Sequence, residues 1–320
     1  MNSITTSSGF DIDAVNARIR RNPAGLVSEW ENRYDAIISQ AADSAAAHKS
    51  RIIFLSGPSS SGKTTTSYKL AEALSRLGIH ARTVSTDDFF KSRSEAPLLP
   101  NGEPDLESIR AVDTDRLIAV LNDIIRDGKA LLPRYDFQTG VRHDGAVKVD
   151  IGKSGILIME GIHALNPVIS AGLAPHSAIK VYISVHSSFE RAETVLLPKR
   201  WVRFLQRMVR DHRARGISPE TNMRLWAAVC EGEDKYIRPY AREADLRIDT
   251  TLPYSPSALK SLAMPLLEKI PAESPHRPFA DALISALRIF LPIDGKHIPE
   301  TSVLREFLGG SRYEGGHKKK

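Results

Sequence analysis

Short apolar runs alternate with amphipathic stretches through most of the chain. "RIIFLS" (51–56), "GILIME" (155–160) and "AIKVYISV" (178–185) are continuous apolar runs with the length of strands buried on both faces. "ARTVST" (81–86) and "ADLRIDTT" (244–251) read as further strands. Residues 63–77, "KTTTSYKLAEALSRL", predict a helix closed by Gly78, and residues 113–127 predict another, with Leu117, Val120, Leu121, Ile124 and Ile125 on one side. Segments 199–213 and 219–232 are helical and rich in Arg and Glu. "LPRYDFQTGVRHDGAVKV" (132–149) has the turn glycines of a β-ribbon. Strands alternating with helices imply an α/β fold built on a parallel sheet.

The ends read differently. Residues 1–50 predict a helical extension after a loose start, with Trp30, Tyr34, Ile37 and Ile38 at helical spacing. The body of the domain is expected over 51–262. From 263 to 320 helices alternate with proline-rich links, and the final "GGSRYEGGHKKK" is expected to fray. No internal repeat is visible.

Between the first strand and its helix lies Gly57-Pro58-Ser59-Ser60-Ser61-Gly62-Lys63-Thr64. It fits G-x-x-x-x-G-K-[ST], the phosphate-binding loop, in the strand–helix context that supports that assignment. Glycine lets successive amides point into one concavity, and the helix adds its unpaired N-terminal donors. Lys63 brings a full charge and the Thr64 hydroxyl can ligate Mg2+. A loop of this kind serves GTPases, motors and kinases alike, so the rest of the chain must decide.

Three further clusters change the picture. Asp87 and Asp88 follow the "ARTVST" strand, at the edge where ligands of parallel sheets bind; if the segment is extended, one of the two faces the cleft. A carboxylate there can take a proton from an attacking hydroxyl or hold Mg2+. Glu160 ends another strand, where an acidic residue commonly supports the metal. Arg203, Arg207 and Arg210 share a helix face that suits phosphate oxygens; the plainer reading is a solvated basic face. His143 and His163 are assigned no role.

Composition narrows the classes. Of 320 residues 42% are hydrophobic and 26% charged, ordinary for a globular protein. No apolar stretch approaches the roughly 18 residues of a membrane span, the amino terminus lacks a signal-peptide layout, and the single Cys230 forms no internal disulfide. These features predict a cytoplasmic protein without membrane partners. The net charge of +6 is concentrated in 197–216 and the last residues, and no nucleic-acid motif accompanies it. No nucleic-acid partner is therefore expected.

"GPSSSGKTT", "STDDFF", "LPRYDFQTG", "ILIMEGIHALNP", "RMVRDHRARG" and "SVLREFLGGS" occur in the order of the uridine kinase-like members of the phosphoribulokinase/uridine kinase family, which the chain resembles over about residues 28–312. The resemblance implies a P-loop NTPase-type parallel sheet flanked by helices, with an Arg-rich helical lid. It implies phosphorylation of a nucleoside 5′-hydroxyl with ATP and Mg2+. It implies that Gly57, Ser59, Ser60, Ser61, Gly62, Lys63, Thr64 and Thr65 hold the nucleotide, and that Asp87 is the catalytic base. Lys63, Arg210 and Arg215 would act on the phosphates. Asp105, Tyr135 and Arg207 would lie on the nucleoside side, and Thr64, Glu160 and Asp87 near Mg2+. Two positions depart from the pyrimidine-reading pattern: Gly140 stands where a histidine is expected, and Ile217 where an arginine is. The small-molecule partner would be a uridine- or cytidine-like nucleoside, and a homo-oligomer is allowed. Other readings are a kinase of a sugar phosphate or pantothenate-like substrate, and a nucleotide sensor without transfer activity.

Overall fold

The computed structural model describes residues 2–4, 9–98, 102, 104–174 and 176–314. The chain begins with β1 (Asn2–Ile4), β2 (Gly9–Asp11), α1 (Ile12–Arg21), α2 (Pro23–His48), β3 (Ile52–Ser56), α3 (Lys63–Arg76), β4 (Ala81–Ser85) and α4 (Thr114–Asp127). It continues through β5 (Lys129–Asp136), β6 (Val141–Asp150), β7 (Ile156–Glu160), α5 (Pro167–Ser170), β8 (Ala178–Ser184), β9 (Ser188–Arg191) and β10 (Thr194–Leu197). It closes with α6 (Lys199–Arg215), α7 (Pro219–Tyr236), β11 (Leu246–Asp249), α8 (Ser255–Glu268), α9 (Arg277–Ile289) and α10 (Arg305–Leu308).

Six parallel strands form the central sheet in the order β1-β11-β8-β3-β7-β4. The alternation of side chains along β3 builds a core on each face. Ile53 and Leu55 join α2, α3, α6, α8 and α9 on one side, while Ile52 and Phe54 join α4 and the base of the β5–β6 hairpin on the other. The register is what positions chemistry. Leu55 and Ser85 both lie opposite Glu160, so β3, β7 and β4 end level along one edge.

Most predicted elements form where the pattern places them. Three regions differ. The amino-terminal residues are more than a loose start: β1 pairs with β11, and β2 pairs with β9. Residues 188–197 form the β9–β10 hairpin, which the periodicity did not reveal. Strands of three or four residues are too short to display a period of two, and the partners of β1 and β2 are remote in sequence. Third, residues 309–314 are packed rather than frayed. Tyr313 stacks on Tyr68 with centroids 5.4 Å apart, its hydroxyl bonds Glu72 at 3.0 Å, and Glu314 pairs with Arg213 at 2.8 Å. The rest of that expected tail, 315–320, lies outside the described residues. Among the described residues no helix is long and apolar enough to cross a membrane.

Candidate active site

β3 delivers the chain to the sheet edge, and α3 carries it away. Between them the backbone takes left-handed conformations at Ser60 (φ 59°) and Gly62 (φ 85°). A Cβ on Gly57 would stand 2.1 Å from the Ile183 carbonyl oxygen, so only glycine fits there. The Ser60 and Ser61 hydroxyls are buried and have no hydrogen-bond partner. Lys63 curls back over the loop, its Nζ 3.1 Å from the Pro58 carbonyl. Burial pushes the Lys63 pKa down, against the pull of Glu160, Glu306 and Asp87. A concave backbone with unpaired donors and a desolvated ammonium fits a phosphate group.

Glu160 completes the anionic side. Its Oε1 accepts from the Thr64 hydroxyl at 3.3 Å, and burial raises its pKa to about 8 despite Lys63 nearby. A hydroxyl and a carboxylate are the hard oxygen ligands Mg2+ takes. Among the described residues no group of three or more His, Cys, Asp or Glu side chains could hold a metal. Two neighbouring protein oxygens, from Thr64 and Glu160, suit an ion bound mainly through phosphates and water.

Asp87 and Asp88 stand in a short 3-10 turn, Thr86–Phe89, rather than in an extended segment. Ser85 Oγ accepts from the Asp87 amide at 3.2 Å and caps the turn. The two carboxylates still diverge. Asp87 interacts electrostatically with Lys63, Glu160 and Arg215. Asp88 lies 3.5 Å from the Tyr135 amide and lines a cavity between β4 and the β5–β6 hairpin.

The arginine helix α6 leans over the loop. Arg203 is buried, donating to the Ser59 carbonyl at 3.1 Å and to Glu233, which makes it a fastening rather than a free cation. Arg207 donates to the Ser59 hydroxyl at 2.8 Å. Asp211, fully buried, gathers three guanidiniums: Arg210 at 2.8 Å, Arg215 at 3.4 Å and Arg207 at 3.5 Å. Burial pushes the Arg207 pKa down. This is no solvated basic face. Beside the loop, Pro58, Tyr182, His186, Lys199, Arg200 and Arg203 border a cationic cavity of about 330 Å3.

The predicted acceptor side is less tightly drawn together. Asp105 is half-buried, and its amide bonds the Pro97 carbonyl at 2.7 Å. Tyr135 is in the core, its ring edge-on to Phe90 and Phe137 at 5.6 and 5.0 Å. Gly140 occupies the hairpin turn at φ 71°, and Arg93 Nε lies 2.8 Å from where its Cβ would stand. A donor therefore reaches that place from outside the hairpin, although residue 140 offers none. Three residues escaped the sequence reading. Asp211 sits inside the arginine run and could have been found as its only carboxylate. Glu107, whose pKa burial raises, interacts with Arg207, Lys63 and Asp87. Glu306 reaches the loop from the far end of the chain, inside the "SVLREFLGGS" block, where nothing local points to Thr65 as its partner.

The uridine kinase of Lactobacillus helveticus is 26% identical over 198 residues, covering 61% of this chain and 84% of that protein. The uridine kinase of Bacillus pumilus is 26% identical over 202 residues, covering 62% and 85%. The solved structure of phosphoribulokinase from Rhodobacter spheroides aligns at 18% identity and a TM-score of 0.41 over 65% of this chain and 74% of that one. The sequence profile described as "Phosphoribulokinase / Uridine kinase family" matches residues 52–253, which takes in the loop, both carboxylate positions and the whole of α6. With that span covered, this P-loop kinase belongs to the phosphoribulokinase/uridine kinase family.

Proposed function

We propose that the protein transfers the terminal phosphoryl group of ATP to the 5′-hydroxyl of a ribonucleoside of the uridine or cytidine type. One observation carries the reading. Asp87, the carboxylate one turn past β4, shares a single electrostatic cluster with Lys63, Glu160 and Arg215 at the mouth of the phosphate loop. A sensor would need the loop but not a base beside it. The relatives named uridine kinase support the nucleoside as acceptor.

In this reading the loop amides, Ser59, the Ser60 and Ser61 hydroxyls, Gly57, Gly62 and Thr65 hold the phosphate chain. Thr64 and Glu160, with Asp87 close by, would hold Mg2+, which when bound neutralises charge on the phosphate oxygens. Asp87 accepts the proton of the attacking hydroxyl. Lys63, Arg210 and Arg215 stabilise charge on the transferred group, and Asp211 fixes the arginines in place before substrate arrives. Asp105 accepts from ribose hydroxyls, Arg207 faces the acceptor, and Tyr135 stiffens the hairpin that covers the base. Arg93, beside Gly140, supplies a donor for a base carbonyl. A panel of nucleosides, sugar phosphates and pantothenate, each offered with Mg·ATP and read as ADP formed, tests the assignment. Turnover of uridine or cytidine is expected. Turnover of a sugar phosphate or pantothenate alone would overturn the nucleoside reading and leave the kinase.

A further inference from the structure

Gly62 is the N-cap of α3 and has no side chain to cap it. Its carbonyl accepts first from the Thr66 amide at 3.0 Å, so the Thr65 amide has no partner within the helix. Glu306, from α10 at the other end of the chain, fills that role. Its Oε2 accepts from Thr65 N at 3.3 Å and from Thr65 Oγ1 at 3.2 Å. Val303 arrives with it, its Cγ2 2.2 Å from where a Cβ on Gly62 would stand. The segment is anchored upstream by Arg305 on the Ile298 carbonyl at 2.6 Å and downstream by Glu314 on Arg213. Between these anchors lie Gly309 and Gly310, both at positive φ, a pair that lets the backbone turn.

We infer that Glu306 holds the place of a donor phosphate at the loop, and that nucleotide binds by displacing its carboxylate from Thr65. The reasoning rests on the loop being the ATP site. The two Thr65 groups are of the kind that cradle phosphate, and one acceptor at a time can use both. A carboxylate left beside a polyanion would also repel it. The carboxy-terminal segment is thus part of the nucleotide site, and Glu306 sets how tightly that site takes phosphate.

Titration calorimetry on the full chain, with Mg·ADP and separately with Mg·tripolyphosphate, tests this on wild type, Glu306→Ala and Glu306→Gln. Alanine should tighten both ligands about tenfold, the weight of one charge-assisted hydrogen bond. Glutamine keeps an acceptor without the charge and should tighten them by less. In the wild type, Mg·ADP should raise amide exchange over residues 302–308 while protecting 57–66. Unchanged or weaker binding in the alanine variant, with no such change in exchange, would overturn the inference and leave the kinase reading intact. Should alanine disturb folding, the isosteric glutamine decides by the same sign. Tripolyphosphate bound more tightly by the variants, with ADP bound by none of the three proteins, would keep the inference and overturn the nucleotide-kinase reading.

Discussion

Asp211→Asn removes one charge from the lid and almost none of its volume. The carboxylate is fully buried, with Arg210 at 2.8 Å, Arg215 at 3.4 Å and Arg207 at 3.5 Å. The side chains of Arg207 and Arg210 are 13% and 14% exposed, and that of Arg215 is 56% exposed. The first two pairs are thus largely shielded from water, while the third contributes as a surface pair does, about 0.2–1 kcal/mol. Breaking a buried pair costs about 3–5 kcal/mol. Asparagine still accepts a hydrogen bond from Arg210, so a loss of about 2–4 kcal/mol is expected. Against a total stability of about 5–15 kcal/mol the variant should stay folded. Urea unfolding reads the loss as a lower midpoint with an unchanged slope. Activity should suffer separately, because the arginines lose the anchor that points them at the loop. A fall in kcat of about tenfold is expected, somewhat less than the loss from removing a preorganised donor outright. An asparagine variant with the wild-type midpoint and wild-type kcat would refute the claim that Asp211 organises the lid.

Asp87→Asn should remove most of kcat and leave Mg·ATP binding in place, whereas Asp88→Asn, at the hairpin base, should cost far less; the reverse order in steady-state kinetics would move the base to residue 88. Gly57→Ala drives a Cβ to within 2.1 Å of a backbone oxygen, so the loop must shift and nucleotide affinity should fall at least tenfold, read by calorimetry. Burial holds the His163 imidazole neutral down to about pH 4, below its ordinary 6.5. The unfolded chain binds that proton first, so this group's stabilisation is complete above 6.5 and is lost as pH falls towards 4, by about 3 kcal/mol. His163→Phe should flatten the unfolding midpoint across that window, and an unchanged pH profile would show that another group is responsible.

Local pattern alone is enough to read the central architecture and the identity of the loop. Continuous apolar runs such as "GILIME" become parallel strands because both faces of the sheet must be buried, and that demand is written locally. The loop is legible for the same reason: glycine at 57 and 62, Lys63 and Thr64 act within one turn of chain. Even Glu160 could be placed at a strand end from its apolar neighbours alone. Tertiary structure decided what depends on groups remote in sequence. β1 and β2 are three residues each and exist through pairing with β11 and β9. The arginine run reads equally as solvated face or lid until Ser59 and Asp211 are seen to hold it. Asp87 and Asp88 part company only because the chain tightens into a 3-10 turn at the sheet edge. Glu306 lies 241 positions from Thr65, and no periodicity or motif spacing can announce a hydrogen bond between them. Local patterns encode which face of an element is buried. The partner that buries it, or that meets a lone donor at a helix end, is chosen by how the whole chain packs.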